Sequence, residues 1–427
     1  MLIRFGVENY GSIRDYQEIS FVASRLKDGD GGLIERSLPG LSGLSYLRCL
    51  AVYGPNAAGK STLLGAIRNL RELILGSYGK GPSAPLPHAP FALDRDSPKR
   101  PTRYLVEFVA RGVRYRYELS HTAYAITGED LRAYPKGKEQ LWFRRGPRGV
   151  QGSTHVSVPK AALQLLNDNV PLLSFLANYQ NLRSHDAIAP VHEWFRDGLV
   201  YLNRGPSGSN DFPFSGEIID GNRGSDFARS FIREMVRSAD LGISDVSVER
   251  REIGEDDRVA IARSASIPVD MVPDTMKSVV FGHRGPRGDM ATFDMGRESD
   301  GTNRIFDLSG FVAVALEGGA TMVVDELDAS LHPTLLSALI RSFQDPDSNP
   351  NDAQLLFSAH NTRPLSDDLL RRDQVWLVDK RDGSTEVVPL TDYGPRKGEA
   401  LEQGYLAGRY SAVPVVPRRF APAREGK

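Results

Sequence analysis

The sequence predicts an α/β fold: a mixed sheet with flanking helices, an antiparallel β subdomain, and a helical lobe inserted between the halves. Three observations predict it. The first is a phosphate-binding loop, Gly54-Pro55-Asn56-Ala57-Ala58-Gly59-Lys60-Ser61, set between an apolar run and a helical pattern. The second is a β-rich run, Thr321–Val324, that ends in Asp325 and Glu326. The third is an alternation of Tyr104, Val106 and Phe108, then Arg111-Gly112, then Val113, Tyr115, Tyr117 and Leu119, which outlines a β-hairpin.

Taken in order, Met1 to Tyr10 reads as a first strand, with no apolar core of a signal peptide. Leu47, Leu50, Val52 and Tyr53 form a run short enough for a buried strand. Helical spacing of Leu64, Ile67 and Leu70 follows the loop, so strand, glycine loop and helix start occur in that order. Backbone N–H groups at a helix N-terminus cradle phosphate oxygens, and the helix dipole favours their charge. Gly54 and Gly59 permit backbone conformations that side chains forbid. Lys60 is expected along the β- and γ-phosphates and the Ser61 hydroxyl on Mg²⁺, with Thr62 beside it. The ligand is therefore expected to be a nucleoside triphosphate with Mg²⁺.

The second half of the site comes late in the chain. A carboxylate at a strand's C-terminal end, beside a phosphate loop, holds Mg²⁺ through its water shell, which assigns Asp325. Glu326 is placed to polarise the attacking water. Pro333 opens a helical pattern of Leu335, Leu336, Leu339, Ile340 and Phe343. A further buried strand from Ala353 runs toward His360, which is placed to sense the γ-phosphate. Glu298-Ser299-Asp300-Gly301-Thr302 opens another helix, either as an anion site or as an ordinary capped start.

That set, in that order, resembles the ATP-binding-cassette ATPases of the RecF and chromosome-maintenance class, with Asn9-Tyr10-Gly11-Ser12-Ile13 similar to the class's first-strand motif. It resembles more closely the prokaryotic AAA-family ATP-binding proteins of phage-defence and abortive-infection loci. Pro90-Phe91-x-Leu93, Glu298-Ser299-x-Gly301-Thr302, Asp325-Glu326-Leu327-Asp328-x-Ser330-Leu331-His332-Pro333, Arg372-Asp373-Gln374-x-Trp376 and Tyr405-Leu406-x-Gly408-Arg409-Tyr410 carry that likeness. The resemblance implies an ABC-type head that dimerises head to tail around two ATP molecules. Each would be held by one phosphate loop and by Ser299 and Gly301 of the other copy, with Asp328 touching the opposite subunit. The class often has a basic residue where Gly11 stands, and its coupling glutamine has no assignable position here.

Composition sets the remaining bounds. At 427 residues, with 40% hydrophobic and 25% charged, the chain has room for several domains around a sizeable core. Lys plus Arg (53) nearly cancels Asp plus Glu (54), so no global field marks a nucleic-acid or membrane binder. Cys49 is the only cysteine, which excludes an intrachain disulfide and a cysteine-cluster metal site and fits a cytoplasmic protein. No apolar stretch is long enough for a membrane span.

The expected segments are 1–150, the loop lobe with its antiparallel subdomain; 151–240, a mainly helical insertion; 241–413, the lobe carrying Ser299, Asp325 and His360; and 414–427, a disordered tail. Recurrent prolines and the lack of sustained heptads argue against a long coiled coil. Short helices are expected between Lys160 and Phe195, and a helix with Phe227, Phe231, Met235 and Ala239 facing the core, ending near Leu241-Gly242. Residues 203–225 read as a surface loop. The leading functional expectation is an ATPase sensor or scaffold of a defence system, forming a homodimer or larger assembly that controls a separate nuclease or toxin. A RecF-like DNA-repair ATPase is the alternative, with nucleic acid open as a ligand. A minor third reading is an intrinsic nuclease using Arg183, His185, Asp186, His192 and Glu193.

Overall fold

Short runs rich in apolar residues, too short for helices, build most of the central sheet. The computed structural model describes residues 1–26, 28, 31–36, 41, 43–179, 185–202, 212–239, 242–366 and 369–412. Six strands stand in the order Leu199–Leu202, Thr321–Val324, Gln354–Ser358, Cys49–Tyr53, Val375–Arg381 and Ser384–Pro389. The first five are parallel and the last is antiparallel. Every residue of Cys49–Tyr53, Thr321–Val324 and Gln354–Ser358 is buried, as expected for parallel strands covered on both faces. Leu199–Leu202 was not anticipated as a strand.

Register decides where the strands end. Val324 lies beside Phe357, Ser358 beside Val52, and Leu377 beside Tyr53. Past Val324, Ser358 and Tyr53 the chain therefore leaves the sheet at the carboxyl ends of the parallel strands, where open α/β sheets carry ligands.

A seven-stranded antiparallel sheet includes the first strand, Leu2–Glu8, and the expected hairpin, Thr102–Ala110 with Val113–His121. Arg111 and Gly112 both take positive φ (46° and 78°), matching the twist a two-residue hairpin turn requires. Tyr104, Val106, Phe108, Tyr115, Tyr117 and Leu119 join one core with the helix Lys60–Gly76. Trp194 stacks on Phe108 with centroids 4.0 Å apart. Asn9 fastens the loop after the first strand, donating to the carbonyls of Ser97 and Arg100 and accepting from the Phe91 amide.

The chain divides into two compact units. One comprises residues 1–202, 319–328 and 336–427, the other 203–318 and 329–335. These lines differ from the segments read along the sequence. The helices Lys160–Leu163, Leu172–Asn178 and His185–Arg196 belong to the first unit, where Leu172, Leu173, Leu176, Trp194 and Phe195 enter its core. The helices Phe214–Ile219 and Asp226–Ala239 belong to the second, with the helix Asp300–Gly318 and a three-stranded sheet, Ile243–Glu252, Thr275–Arg284 and Met290–Asp294.

The helix Asp226–Ala239 corrects one expectation. Its buried stripe is Ala228, Ile232 and Val236, while Phe227 is 45% exposed. Both stripes have helical spacing, and the smaller residues fit where the helix packs against Asp300–Gly318. Part of the expected loop at 203–225 is structured instead: Phe214–Ile219 is helical and Ser215, Gly216 and Ile218 are buried. Residues 203–211, Leu241, Arg183 and the tail 414–427 lie outside the described residues, so the readings of them stand as expectations.

Candidate functional site

The phosphate loop leaves the central strand after Tyr53 and turns into the helix at Lys60. Gly54 runs so close to the neighbouring strand that a Cβ there would meet the Val378 carbonyl oxygen at 2.1 Å. Gly59 has φ +116°, and a Cβ would meet Thr385 and Ser12. Thr385 Oγ1 donates to the Ala58 carbonyl at 2.7 Å, and Ser12 Oγ donates to Thr62 Oγ1 at 3.1 Å. The loop is thus held from below by two hydroxyls far away in sequence.

A cavity of about 290 Å³ opens above it, lined by Ser12, residues 55–62, Glu326, His360 and Lys380. Lys60 is buried, and its Nζ donates to the carbonyls of Gly54 (2.7 Å) and Pro55 (3.1 Å). Desolvation lowers the Lys60 pKa, opposed by the charges of Asp325, Glu326 and Asp328. All three carboxylates follow the strand Thr321–Val324, and Glu326 lines the cavity.

Ser358 sets the acidic pair. Its Oγ donates to Asp325 Oδ1 at 2.6 Å and accepts the Glu326 amide at 2.8 Å. Glu326 takes φ +52°, a left-handed conformation that turns it away from the strand's pleat. Glu326 Oε1 stands 3.9 Å from His360 Nε2. Asp328 Oδ2 accepts the amides of His360 (2.9 Å) and Asn361 (2.7 Å), fixing the backbone that presents the histidine. Asp328 Oδ1 is buried with no hydrogen-bond partner among the described residues.

The donor set fits a hydrated magnesium ion. Asp325 Oδ2 takes no hydrogen bond among the described residues, and Ser61, exposed, lies in the first turn of the helix Lys60–Gly76. Among the described residues no group of three or more His, Cys, Asp or Glu side chains converges. Magnesium at a nucleotide needs none, because phosphate and water supply most of its ligands.

Ser299 and Gly301 lie in the second unit. The Ser299 hydroxyl accepts the Thr302 amide at 3.1 Å, capping the helix Asp300–Gly318, and a Cβ on Gly301 would meet the Ser330 carbonyl oxygen at 3.2 Å. In the cluster considered for nuclease chemistry, Glu193 pairs with Arg111 at 2.6 Å, and Asp186 and His192 share its helix. The site residues that sequence reasoning missed are Ser12, Ser358, Lys380 and Thr385. Ser12 stood within a quoted motif; the other three are single polar residues whose meaning depends on the strand beside them.

A cavity lined by a glycine loop and its lysine, with Glu326 and His360 reaching it from beyond two neighbouring strands, defines an ATPase domain of the P-loop class. The chain belongs to the family described as "AAA domain, putative AbiEii toxin, Type IV TA system", which matches residues 49–365. That match bears out the resemblance carried by the motifs. Among solved structures, the chain is similar to the SMC head domain from Thermotoga maritima, at 13% identity and TM-score 0.38, covering 91% of this chain and 98% of that one. It is also similar to the Smc head domain with an extended coiled coil, bound to the C-terminal domain of ScpA, derived from Pyrococcus furiosus (13% identity, TM-score 0.41, 91% and 95% covered). A third is the Smc head domain with a coiled coil and joint from Pyrococcus yayanosii (10%, 0.39, 95% and 99%). None of the curated proteins matches. No helix among the described residues is long and apolar enough to cross a membrane.

Proposed function

We propose that this chain is a cytoplasmic, magnesium-dependent ATPase that dimerises around ATP and serves as the sensor or scaffold subunit of an anti-phage defence system. The observation that carries the ATPase reading is the meeting of Lys60, Glu326 and His360 around one cavity, with the charge of Asp325 acting on Lys60. The loop amides and Lys60 bind the β- and γ-phosphates. Ser61 and Asp325 hold the magnesium ion, which when bound neutralises charge on the phosphate oxygens. Glu326 accepts a proton from the attacking water, and His360 fixes Glu326 while contacting the γ-phosphate.

Dimerisation completes the site in this reading. Ser299 and Gly301 of a second copy close over the triphosphate, and a contact across the dimer satisfies Asp328 Oδ1, which has no partner among the described residues. ATP then stabilises the closed dimer and hydrolysis loosens it, so nucleotide state sets the geometry offered to a separate effector. The family description, which places the domain in a toxin–antitoxin system, supports the defence setting.

Glu326→Gln is the decisive variant. It should bind ATP, lose hydrolysis by about 10²–10⁴-fold, and elute as an ATP-dependent dimer in light-scattering chromatography. Hydrolysis at the wild-type rate would remove Glu326 as the base. A monomer at saturating ATP would remove the clamp.

A further inference from the structure

Among the described residues, Lys380 is the one lysine besides Lys60 that lines the nucleotide cavity, and no motif accounts for it. Its strand, Val375–Arg381, pairs with the central strand only as far as Leu377 beside Tyr53, then runs on past the end of that strand and alongside the loop. Lys380 lies directly opposite Thr385 in the antiparallel pair Val375–Arg381 and Ser384–Pro389. Residues opposite one another in such a pair share a face of the sheet. The Thr385 side chain on that face is bonded to the Ala58 carbonyl, so the Lys380 side chain begins on the face that supports the loop.

Two carboxylates near Lys380 already have partners. Asp379 accepts the amides of Lys380 and Ala412, and Glu386 pairs with Arg381 at 3.7 Å. Lys380 is exposed and forms no ion pair among the described residues. The charge around it calls for a cation. Asp325, Glu326 and Asp328 act on the single loop lysine, and a triphosphate adds more negative charge. Gly11 offers no side chain from the first-strand motif. Its φ is +56°, and a Cβ would come within 2.7 Å of Thr62 Cγ2.

We propose that Lys380 is a second polyphosphate-binding cation of this site, reaching the nucleotide from the strand beside the phosphate loop. The assignment rests on reading the cavity as a nucleotide site and adds a binding residue to it. Its charge acts on the bound phosphates directly, whereas Thr385 opposite it only positions the loop.

The test measures affinity for a magnesium-bound, non-hydrolysable ATP analogue by calorimetry, using the full chain. Lys380→Gln should raise Kd about tenfold, Lys380→Arg should stay within about twofold of wild type, and Lys60→Ala should lose about 100-fold. Lys380→Gln should also flatten the rise of Kd with salt while leaving thermal unfolding of the nucleotide-free chain unchanged. If Lys380→Gln binds like wild type while Lys60→Ala does not, the Lys380 assignment falls and the nucleotide site stands. Lys380→Arg as weak as Lys380→Gln would remove the role of charge. If wild type fails to bind, or Lys60→Ala binds normally, the nucleotide reading itself fails and takes Lys380 with it.

Discussion

Lys60 Nζ donates to the Gly54 carbonyl at 2.7 Å, so the loop lysine is hydrogen-bonded to the residue that begins its own loop. The ammonium is desolvated there, and two carbonyls, Gly54 and Pro55, hold it at the cavity wall. A phosphate arriving above the loop finds this charge already fixed in place. Lys60→Ala should therefore remove nucleotide affinity without unfolding the chain, as checked by calorimetry beside a melting curve. A loss of both would assign Lys60 to the fold.

Ser358 should prove to be a positioning residue. Ser358→Ala removes the donor to Asp325 and leaves the Glu326 amide without its acceptor. Stability should fall by about 1–3 kcal/mol in urea unfolding. Because the acidic pair loses its orientation while the phosphate loop does not, kcat should drop about tenfold with ATP affinity within about twofold of wild type.

Gly54→Ala should destabilise the first unit and abolish binding together. The new Cβ would stand 2.1 Å from the Val378 carbonyl oxygen, and backbone cannot swing aside as a side-chain tip can. Overpacking of this kind costs about 1–3 kcal/mol, read as a lower urea midpoint. A midpoint equal to wild type would mean that the loop and its neighbouring strand separate freely.

Acid should weaken the antiparallel sheet through His121. The ring is fully buried, stacked on Tyr104 and edge-on to His88, with Nδ1 donating to the Thr122 carbonyl and Nε2 without a hydrogen-bond partner among the described residues. Burial pushes its pKa down to about 4, the Thr122 carbonyl opposes the shift, and His88 adds to it. The unfolded chain takes up the proton at an ordinary histidine pKa near 6.5, so between those values it binds more protons than the folded chain. The stability is complete above about pH 6.5 and is lost as pH falls toward 4, by about 3 kcal/mol. Urea midpoints of wild type and His121→Phe, compared at pH 7.5 and 5, should show the smaller acid loss in the variant.

The loop lobe was legible because its signals are local. A glycine pattern, a strand-end acidic pair and the Arg111-Gly112 hairpin each declare themselves within about ten residues. Phe227, Phe231 and Met235 misled because helical spacing marks a stripe without saying what the stripe faces; Ala228, Ile232 and Val236 had the same spacing and took the core. The three-stranded sheet of the second unit was missed because half of its strand Ile243–Glu252 is polar on both faces.

By itself, the sequence supplied the groups proposed for the chemistry and the order in which they come: phosphate loop, helix-opening serine, acidic pair, histidine. It could do so because each depends on side-chain type and the spacing of near neighbours. Only the tertiary structure decided that Ser12, Ser358, Lys380 and Thr385 stand among them. Strand register brings together residues more than three hundred positions apart, and no periodicity in the chain records that pairing.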